Sequence, residues 1–561
     1  MGDSKSPTQA EEPQATMVEW LTDAQDATAE EHNLSLLDAL KLRPRAVFWS
    51  LAMSTAIIME GYDTMLVGNL FAQSAFKKKY GRLVGEDTYE IPASWQAGLS
   101  NGSACGQLIG LLLAGYVSER FGFRKTMSVG LSMIAALIFI PFFAPSLEVL
   151  EVGQILFGIV LGLFQTTPVI YAMEISPVCL QPYLTSYVNF CWAIGHLIGA
   201  GILRGCLTLE DEWAYRIPFA VQWVWPVLLI PLLHFAPESP WWLVRQGRLE
   251  DAKAVLTRLT SGGHVGINID KQVALMMVTM EHERTINAQT SYLACFRGVD
   301  LRRTLIVIGI YCMQTLSGNP LRGYSTYFLQ QAGLPTTQAF NMTIVGYSLA
   351  LAGGFFTVCI TIITPAGYTP FPLNFKLTIP ILQWALLPVF GRRSILLWSL
   401  VMMFVLMVLI GALGVPQAES PKAAYPWAIG ALLIISNFLY NCSIGTLTNT
   451  QCAEIPSALL RSKSVVLARW SYSVTSIAAN SLTPYQLNKT AWNWGAKTGF
   501  FWAGGCMISA VFAFFCVPES KDRTTAEMDV LFERKIAPRH FAKTPVDLIE
   551  AIGERDEGKA V

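Results

Sequence analysis

Apolar runs alternate with short polar breaks along most of this chain. A bilayer core about 30 Å thick is crossed by a helix of about 20 residues, so each run of that length predicts a membrane-spanning helix. Eleven runs are continuous, near residues 46–70, 96–117, 125–143, 149–173, 184–205, 217–235, 303–330, 394–414, 427–451, 463–486 and 498–517. A twelfth lies within 342–390 and is interrupted. The pattern therefore predicts twelve spans.

One long polar segment divides the predicted spans into six and six. The pattern thus predicts an all-α membrane protein of two six-helix bundles, residues 46–235 and 303–517. A central loop, 236–302, joins them, and tails of residues 1–45 and 518–561 flank them.

The composition agrees with a chain that lies largely in lipid. Of 561 residues, 52% are hydrophobic and 14% charged, against about 25% charged in soluble domains. The 40 Lys and Arg equal the 40 Asp and Glu, which gives no argument for a nucleic acid partner. The 11 cysteines show no CxxC pair and no metal-ligand spacing. With no nucleophile motif or phosphate loop either, we expect no enzymatic activity, cofactor or metal.

Basic residues in the short loops indicate the orientation of the spans, because they accumulate on the cytoplasmic side. They flank alternate breaks, at Lys41, Arg43, Arg45, Arg120, Arg124, Lys125, Arg245, Arg248, Lys253, Arg258, Arg392, Arg393, Arg461, Lys463, Lys521 and Arg523. If every span crosses, all lie on one side, so both termini and the central loop should be cytoplasmic. The residues Lys77–Lys79 and Arg82 are an exception, in a longer loop on the other side.

Two motifs recur in both halves, a repeat expected of transporters whose bundles move about a central site. The segment Gly115–Lys125 after the second span resembles Pro388–Arg393 after the eighth. Likewise, Ala236–Pro240 after the sixth span resembles Val517–Lys521 after the twelfth.

These motifs resemble those of the sugar porter family of the major facilitator superfamily, over about residues 40–535. The segments Glu60–Thr64, Trp213–Pro218 and Thr490–Trp494 are similar to those of the fungal α-glucoside (maltose-type) proton symporters. The resemblance implies the major facilitator fold and alternating access, with a sugar, a proton and the lipid bilayer as partners. We expect a monomer in the plasma membrane.

Two acidic residues, Glu60 and Asp63, lie in the middle of the first predicted span. A charge there costs at least about 2.5–3.5 kcal/mol, so an ionisable residue in a span indicates function. At a spacing of three residues the two share a helix face. Because two close carboxylates do not both ionise easily, we expect one of them to carry a proton. The alternative is that one only pairs with a structural cation.

Arg469, in the eleventh predicted span, is the expected cation, and the resemblance supports this role. The alternative is that its side chain extends to the cytoplasmic face as an anchor. Where the α-glucoside symporters commonly have a glutamate in the second span, this chain has Gln107. Because glutamine cannot ionise, we expect weaker coupling or a shifted substrate range.

The resemblance places sugar-binding groups in the fifth, seventh and tenth spans. Amides pair with sugar hydroxyls and aromatic faces stack on the sugar ring. The candidates are Asn189, Trp192, Gln314, Asn319 and Asn449. Hexose carriers typically have Trp at the position of Asn449, which fits a different or larger sugar here. The alternative for each candidate is a hydrogen bond between helices.

The resemblance also implies a cytoplasmic charge network that holds the two bundles together in the outward-open state. Its members here are Glu119, Arg120, Arg124, Glu174, Glu238, Arg392, Glu454, Arg461 and Glu519. Gln181 and Asp522 depart from the family pattern, which usually has Arg and Gly there. The alternative is a set of ordinary solvated loop charges.

Residues 358–383 interrupt the eighth predicted span and are rich in Thr, Pro and Gly. No unbroken helix passes through Thr364–Pro372. We hypothesise that this insert is a retained intron, because its first and last residues can be encoded by splice-site sequences. Its removal would join Thr357 to Trp384 in one span of ordinary length. The alternative is a re-entrant segment buried within the protein.

The sequence therefore predicts a proton-coupled importer of an α-glucoside such as maltose. Two alternatives are a proton-independent hexose facilitator and a sugar sensor that does not transport. Sensors of this family usually carry long cytoplasmic tails, whereas the tail here, about residues 521–561, is short.

Overall fold

The computed structural model describes residues 36–85, 88–177, 180–260, 269–289, 292–363, 392–419, 424–457, 460–520, 525–541 and 544. Most of them are helical, which confirms the predicted fold class. The first half contains α1 Leu36–Leu42, α2 Pro44–Ser54, α3 Ala56–Leu70, α4 Ser74–Tyr80, α5 Ala93–Phe121, α6 Phe123–Leu137, α7 Phe139–Phe143, α8 Leu147–Ile175, α9 Gln181–Gly205, α10 Trp213–Val221 and α11 Val224–His234.

The central segment forms α12 Pro240–Arg245, α13 Leu249–Leu259 and α14 Ile269–Gln289. The second half contains α15 Gly298–Leu316, α16 Asn319–Gly323, α17 Ser325–Gln331, α18 Thr336–Ile363, α19 Arg392–Glu419, α20 Ala424–Cys442, α21 Ile444–Glu454, α22 Arg461–Leu487 and α23 Thr498–Cys516, followed by α24 Thr525–Glu533. Short 3₁₀ helices lie at Cys206–Thr208, Tyr292–Phe296, Gly495–Lys497 and Pro538–His540.

Six helical segments in this part of the chain are long and apolar enough to cross a membrane. They are Phe123–Phe143, Leu147–Ile175, Phe190–Thr208, Trp213–His234, Arg392–Glu419 and Gly495–Cys516. These correspond to the third, fourth, fifth, sixth, ninth and twelfth predicted spans. The other predicted spans are largely helical where the structure describes them, but they contain breaks or polar residues, such as Glu60 and Asp63 in the first.

The seventh predicted span is not one helix. Helix α15 ends at Leu316, and Gly318 adopts a left-handed φ of 84°, which favours glycine. Pro320 follows within the first turn of α16, where its missing N–H costs nothing. In the eighth span, α18 continues to Ile363, so the first six residues of the predicted insert extend the helix. The rest of the insert lies outside the described residues.

The two ends of the helical bundle differ. We call one the central-loop side, after the central loop, and the other the hairpin side, after a two-stranded hairpin. At the central-loop side, Arg43 donates to Gln272 of α14, and Arg302 donates to the carbonyl of Ile536 at 3.2 Å. At the hairpin side, strands β1 Arg82–Gly85 and β2 Thr88–Glu90 form an antiparallel hairpin, with Arg82 opposite Glu90.

Glycines bring the helices of the first half into backbone contact. A Cβ atom on Gly106 or Gly110 of α5 would overlap the backbone of α8, and one on Gly158 or Gly162 would overlap α5. Small residues at this four-residue spacing allow close helix packing in membranes. Gln107, between the first two glycines, is thereby placed near Gln165 of α8, where the two amides hydrogen-bond.

Candidate functional site

Glu60 is fully buried within α3. Its Oε1 accepts a hydrogen bond from Nε2 of Gln165 at 2.7 Å, and its Oε2 accepts one from Nε1 of Trp192 at 3.3 Å. The same Gln165 amide donates to Oε1 of Gln107 at 3.2 Å. All these partners are neutral, so the acid can gain or lose a proton without breaking a direct ion pair with them.

The contact between α3 and α9 sets this geometry. Gly61 lies against the backbone of Trp192, so close that a Cβ atom would be 2.6 Å from its carbonyl oxygen. From α9, Gly195 packs in the same way against Ile58 and Tyr62. The approach of the two helices brings the Trp192 indole to Glu60.

Asp63 is 2% exposed and has a different set of partners. Its Oδ1 accepts from Nε2 of Gln222 at 3.1 Å, and its Oδ2 from the hydroxyl of Ser103 at 3.5 Å. The two acids therefore share a helix but none of these donors. Gln165, Gln222 and Ser103 were missed by sequence reasoning, because a polar side chain at a helix contact gives no signal of its partner.

Arg469 of α22 is half-buried, and it is near enough to Glu60 for a Coulombic interaction with it. Its guanidinium carbon is 5.9 Å from the ring centroid of Tyr472, within cation–π range. Tyr311 of α15 is also near enough to Arg469 to interact with it electrostatically. The structure thus brings the predicted cation near Glu60 without a direct ion pair between the two among the described contacts.

Arg322 is a second cation inside the second half, and sequence reasoning missed it. It is 5% exposed and lies 4.0 Å from the ring centroid of Tyr440. It donates to the carbonyl of Ser317 at 3.2 Å and to Oδ1 of Asn319 at 3.4 Å, across the break between α15 and α16. The sequence did contain a signal for Arg322, because an arginine within a predicted membrane span carries the same kind of free-energy cost that singled out Glu60.

The predicted sugar-binding residues are only partly described. Trp192 donates to Glu60, and Asn319 accepts from Arg322. Gln314 is buried in α15. The side chains of Asn189 in α9 and Asn449 in α21 lie outside the described part of the structure.

At the central-loop side, each of the two ion pairs described for the predicted charge network involves only one of the six-helix bundles, the first of them through a residue of the central loop. Arg245 pairs with Glu174 at 2.6 Å, and Arg392 pairs with Glu454 at 2.9 Å. The carboxylate of Glu519 accepts from the backbone N–H of Arg393 at 3.2 Å. A latch between the halves that uses these residues remains a prediction.

The other members of the network are placed as follows. Glu119 and Arg120 are exposed, and Arg124 and Arg461 are half-buried. Glu238 accepts from the backbone N–H groups of Phe123 and Arg124 at 2.9 and 3.3 Å. The side chain of Gln181 donates to the carbonyl of Met173 at 2.9 Å, and Asp522 lies outside the described residues.

Residues 49–364 and 373–532 match the model of the family described as "Sugar (and other) transporter". The match is interrupted inside the predicted insert of residues 358–383. The chain belongs to the sugar transporter family. It is a multi-pass membrane protein of a family of transporters.

This sugar transporter is 38% identical over 530 residues to the general alpha-glucoside permease of Saccharomyces cerevisiae, covering 94% of this chain and 81% of that protein. It is 37% identical over 539 residues to the maltose permease MAL31 of the same yeast, covering 94% and 82%. The inward open xylose transporter XylE from E. coli matches with a TM-score of 0.66 at 17% identity, covering 86% of this chain and 98% of that one. The match to XylE confirms the fold.

Proposed function

We propose that this sugar transporter imports an α-glucoside such as maltose together with a proton, by alternating access. The observation that carries the proposal is the buried Glu60, held by Gln165 and Trp192 with Arg469 near by. The names of the yeast relatives, an alpha-glucoside permease and maltose permeases, support the choice of sugar.

In the proposed mechanism, Glu60 or Asp63 carries the proton and Arg469 modulates its release. When the acid is protonated, the interior of the bundle is less charged. The proton-loaded transporter therefore changes between its two orientations at a lower free-energy cost. Trp192, next to Glu60, links proton loading to the sugar site. Asn189, Gln314, Asn319 and Asn449 complete the proposed sugar contacts, and the charge network at the central-loop side holds the halves together in the outward-open state.

We also propose that the protein lies in the plasma membrane as a monomer, with both termini and the central loop cytoplasmic. The alternating distribution of basic residues supports this orientation. The hairpin side would then face outward and the central-loop side inward.

One observation favours a second candidate function, a proton-independent facilitator. Gln107, which hydrogen-bonds the same Gln165 that holds Glu60, cannot ionise and so shortens any proton relay. The two candidates differ in their response to a proton gradient.

Uptake by vesicles that contain the purified protein tests the proposal. A panel of mono- and disaccharides is supplied with and without an inward proton gradient. We expect α-glucosides to accumulate only with the gradient. Equal uptake with and without it would favour the facilitator, and uptake of hexoses alone would reject the α-glucoside assignment.

A further inference from the structure

A cleft of about 510 Å³ opens at the hairpin side of the first half. It is lined by Lys78 and Lys79 of α4, by the loop residues Glu210–Glu212, and by Trp213 and Arg216 of α10. Its volume lies within the range of ligand-binding sites, about 300–1,000 Å³. We name it the charged cleft.

The charged cleft lies where two spans meet the surface of the membrane. Phe143 is the last residue of the third span and Trp213 the first of the sixth, and their side chains are 59% and 54% exposed. The ring centroid of Trp213 is 6.4 Å from that of Phe142. Aromatic residues gather where spans reach the lipid headgroups. Farther along the sixth span, the exposed side chains of Val227 and Leu228 are apolar, as expected of a surface that faces lipid tails.

Ion pairs within the first half hold the cleft together. Glu212 pairs with Lys79 of α4 at 3.0 Å and with Arg216 of α10 at 2.7 Å. The guanidinium carbon of Arg216 is also 5.8 Å from the ring centroid of Phe142. These contacts join the two helices that line the cleft to the end of the third span.

The remaining charges of the cleft have no such partners. Lys78, Glu210 and Asp211 are exposed, and their side chains form no ion pair or hydrogen bond within the part of the chain that the structure describes. Lys78 also belongs to the exception in the charge pattern, since basic residues are expected mainly at the other side of the membrane. Its two neighbours in that exception, Lys77 and Lys79, are each in an ion pair.

The set of charges indicates the chemistry of a ligand. Three basic and three acidic side chains line the cleft, so an anion alone would be repelled by the acids and a cation alone by the bases. A lysine ammonium group binds phosphate through charge-assisted hydrogen bonds. Carboxylates pair with an ammonium group, and an exposed indole attracts a quaternary one. A zwitterionic headgroup meets both requirements, and the membrane surface supplies such headgroups at this level.

We propose that the charged cleft binds the headgroup of a zwitterionic phospholipid. Lys78 binds its phosphate, and Glu210 and Asp211 bind its ammonium group beside Trp213. The acyl chains then run along the third and sixth spans, so the lipid fixes the ends of these spans at the headgroup level. This site lies entirely in the first half and does not depend on the sugar that is carried.

Photolabelling of the purified full chain tests the proposal. The host vesicles consist of digalactosyl diacylglycerol, which has neither phosphate nor charge, with a trace of photoreactive phosphatidylcholine. We expect peptides of Phe139–Phe143 and Trp213–Val221 to be labelled about fivefold more than peptides of α23, a span in the other half, which is the factor that one charge near the membrane surface gives. Lys78→Gln, and separately Glu210→Gln/Asp211→Asn, should abolish this excess.

Three controls separate a binding site from general lipid contact. Lys78→Arg keeps the charge and should keep the excess. Lys489→Gln removes another exposed lysine at the hairpin side, next to Asn488, which bonds the carbonyl of Ile91, and should also keep it. Photoreactive phosphatidylglycerol, which has a phosphate but no ammonium group, should label both regions equally.

Four results would overturn the proposal. One is labelling by phosphatidylcholine that is no stronger at the cleft than in α23. Another is an excess that both cleft variants retain, and a third is an equal loss in Lys489→Gln. The last is displacement of the lipid probe by soluble phosphocholine at the same concentration, which would assign the cleft to a soluble phosphorylated compound instead.

Discussion

Trp192 has two candidate roles, since it is predicted to stack on sugar and it donates to Glu60 in the structure. Trp192→Phe keeps an aromatic face and removes the indole N–H. We expect proton-driven uptake to fall about tenfold, as for one hydrogen bond to an ionisable group, with little change in the KM for sugar. Sugar uptake measured as a function of external pH checks this. Trp223→Phe is the control, because the indole of Trp223 donates to the backbone carbonyl of Ala135 and not to an acid. A raised KM at every pH would assign Trp192 to sugar binding instead.

Glu238 is a second residue whose chemistry can be tested directly. Its carboxylate accepts three backbone N–H bonds, from Phe123, Arg124 and Ser239, yet burial raises its pKa above the ordinary value. A neutral acceptor should therefore be tolerated. We expect Glu238→Gln to lower the free energy of unfolding by less than about 1 kcal/mol, and Glu238→Ala by about 1–3 kcal/mol, because the N–H groups lose their acceptor.

The pH dependence of this residue has a definite sign. Because the folded-state pKa is raised, the folded chain holds the Glu238 proton more tightly than the unfolded chain. Its contribution to stability is therefore present at low pH and is lost as the pH rises from about 4.3 through the raised pKa. In thermal unfolding experiments in detergent, the wild type should therefore lose stability relative to Glu238→Gln as the pH rises. A wild type that gains stability relative to Glu238→Gln as the pH rises would contradict the raised pKa.

Single residues could be predicted from the sequence where their position in a membrane span carries a known free-energy cost. Glu60, Asp63 and Arg469 stood out because charges in membrane spans are rare and costly. Gln165 and Gln222 did not, because their roles depend on which helices pack together. Nothing local in the sequence pairs Gln165 with Glu60, which lies 105 positions away.

At the scale of the elements, the contact between α3 and α9 depends on glycine. A Cβ atom on Gly195 would be 2.6 Å from the backbone nitrogen of Tyr62, whereas one on Gly201 of the same helix would meet nothing within 4 Å. Overpacking costs about 1–3 kcal/mol. We expect Gly195→Ala to lower the unfolding temperature and reduce transport, and Gly201→Ala to be neutral. Similar effects of both would show that this contact does not position the site.

Helix positions were predicted well where a long apolar run marks a span, as in the six segments that are long and apolar enough to cross a membrane. The internal breaks were harder. The break after α15 needs the left-handed conformation of Gly318 and the bond from Arg322 to Ser317, which stabilises the loop. The hairpin was not predicted at all, since strands of four and three residues have too little alternation to stand out.

For the whole molecule, the segment 358–383 remains the open proposal. We infer that it is a retained intron, and the interruption of the family match between residues 364 and 373 supports an insertion at this place. A chain that joins Thr357 to Trp384 should reach the membrane in larger amounts and transport faster than the full chain. Sequencing of the transcript provides the independent check. If every mature message keeps the 78 nucleotides of these 26 codons and the long form transports, the idea is wrong.

The halves meet through polar contacts that connect residues far apart in sequence. Asn101 donates to Ser481 at 2.7 Å, and Asn488 donates to the carbonyl of Ile91 at 2.7 Å. Such contacts form in only one conformation of a transporter that moves. Because the sequence must be compatible with every conformation, no sequence pattern identifies the contacts of one of them.

The central claim is that a buried acid of α3 couples sugar entry to proton entry. The most direct measurement is external alkalinisation when maltose is added to energy-depleted cells that carry the wild type, Glu60→Gln or Asp63→Asn. We predict alkalinisation with the wild type, and its loss in at least one variant that still exchanges sugar down its gradient. Sugar entry without alkalinisation in the wild type, or unchanged alkalinisation in both variants, would contradict the account.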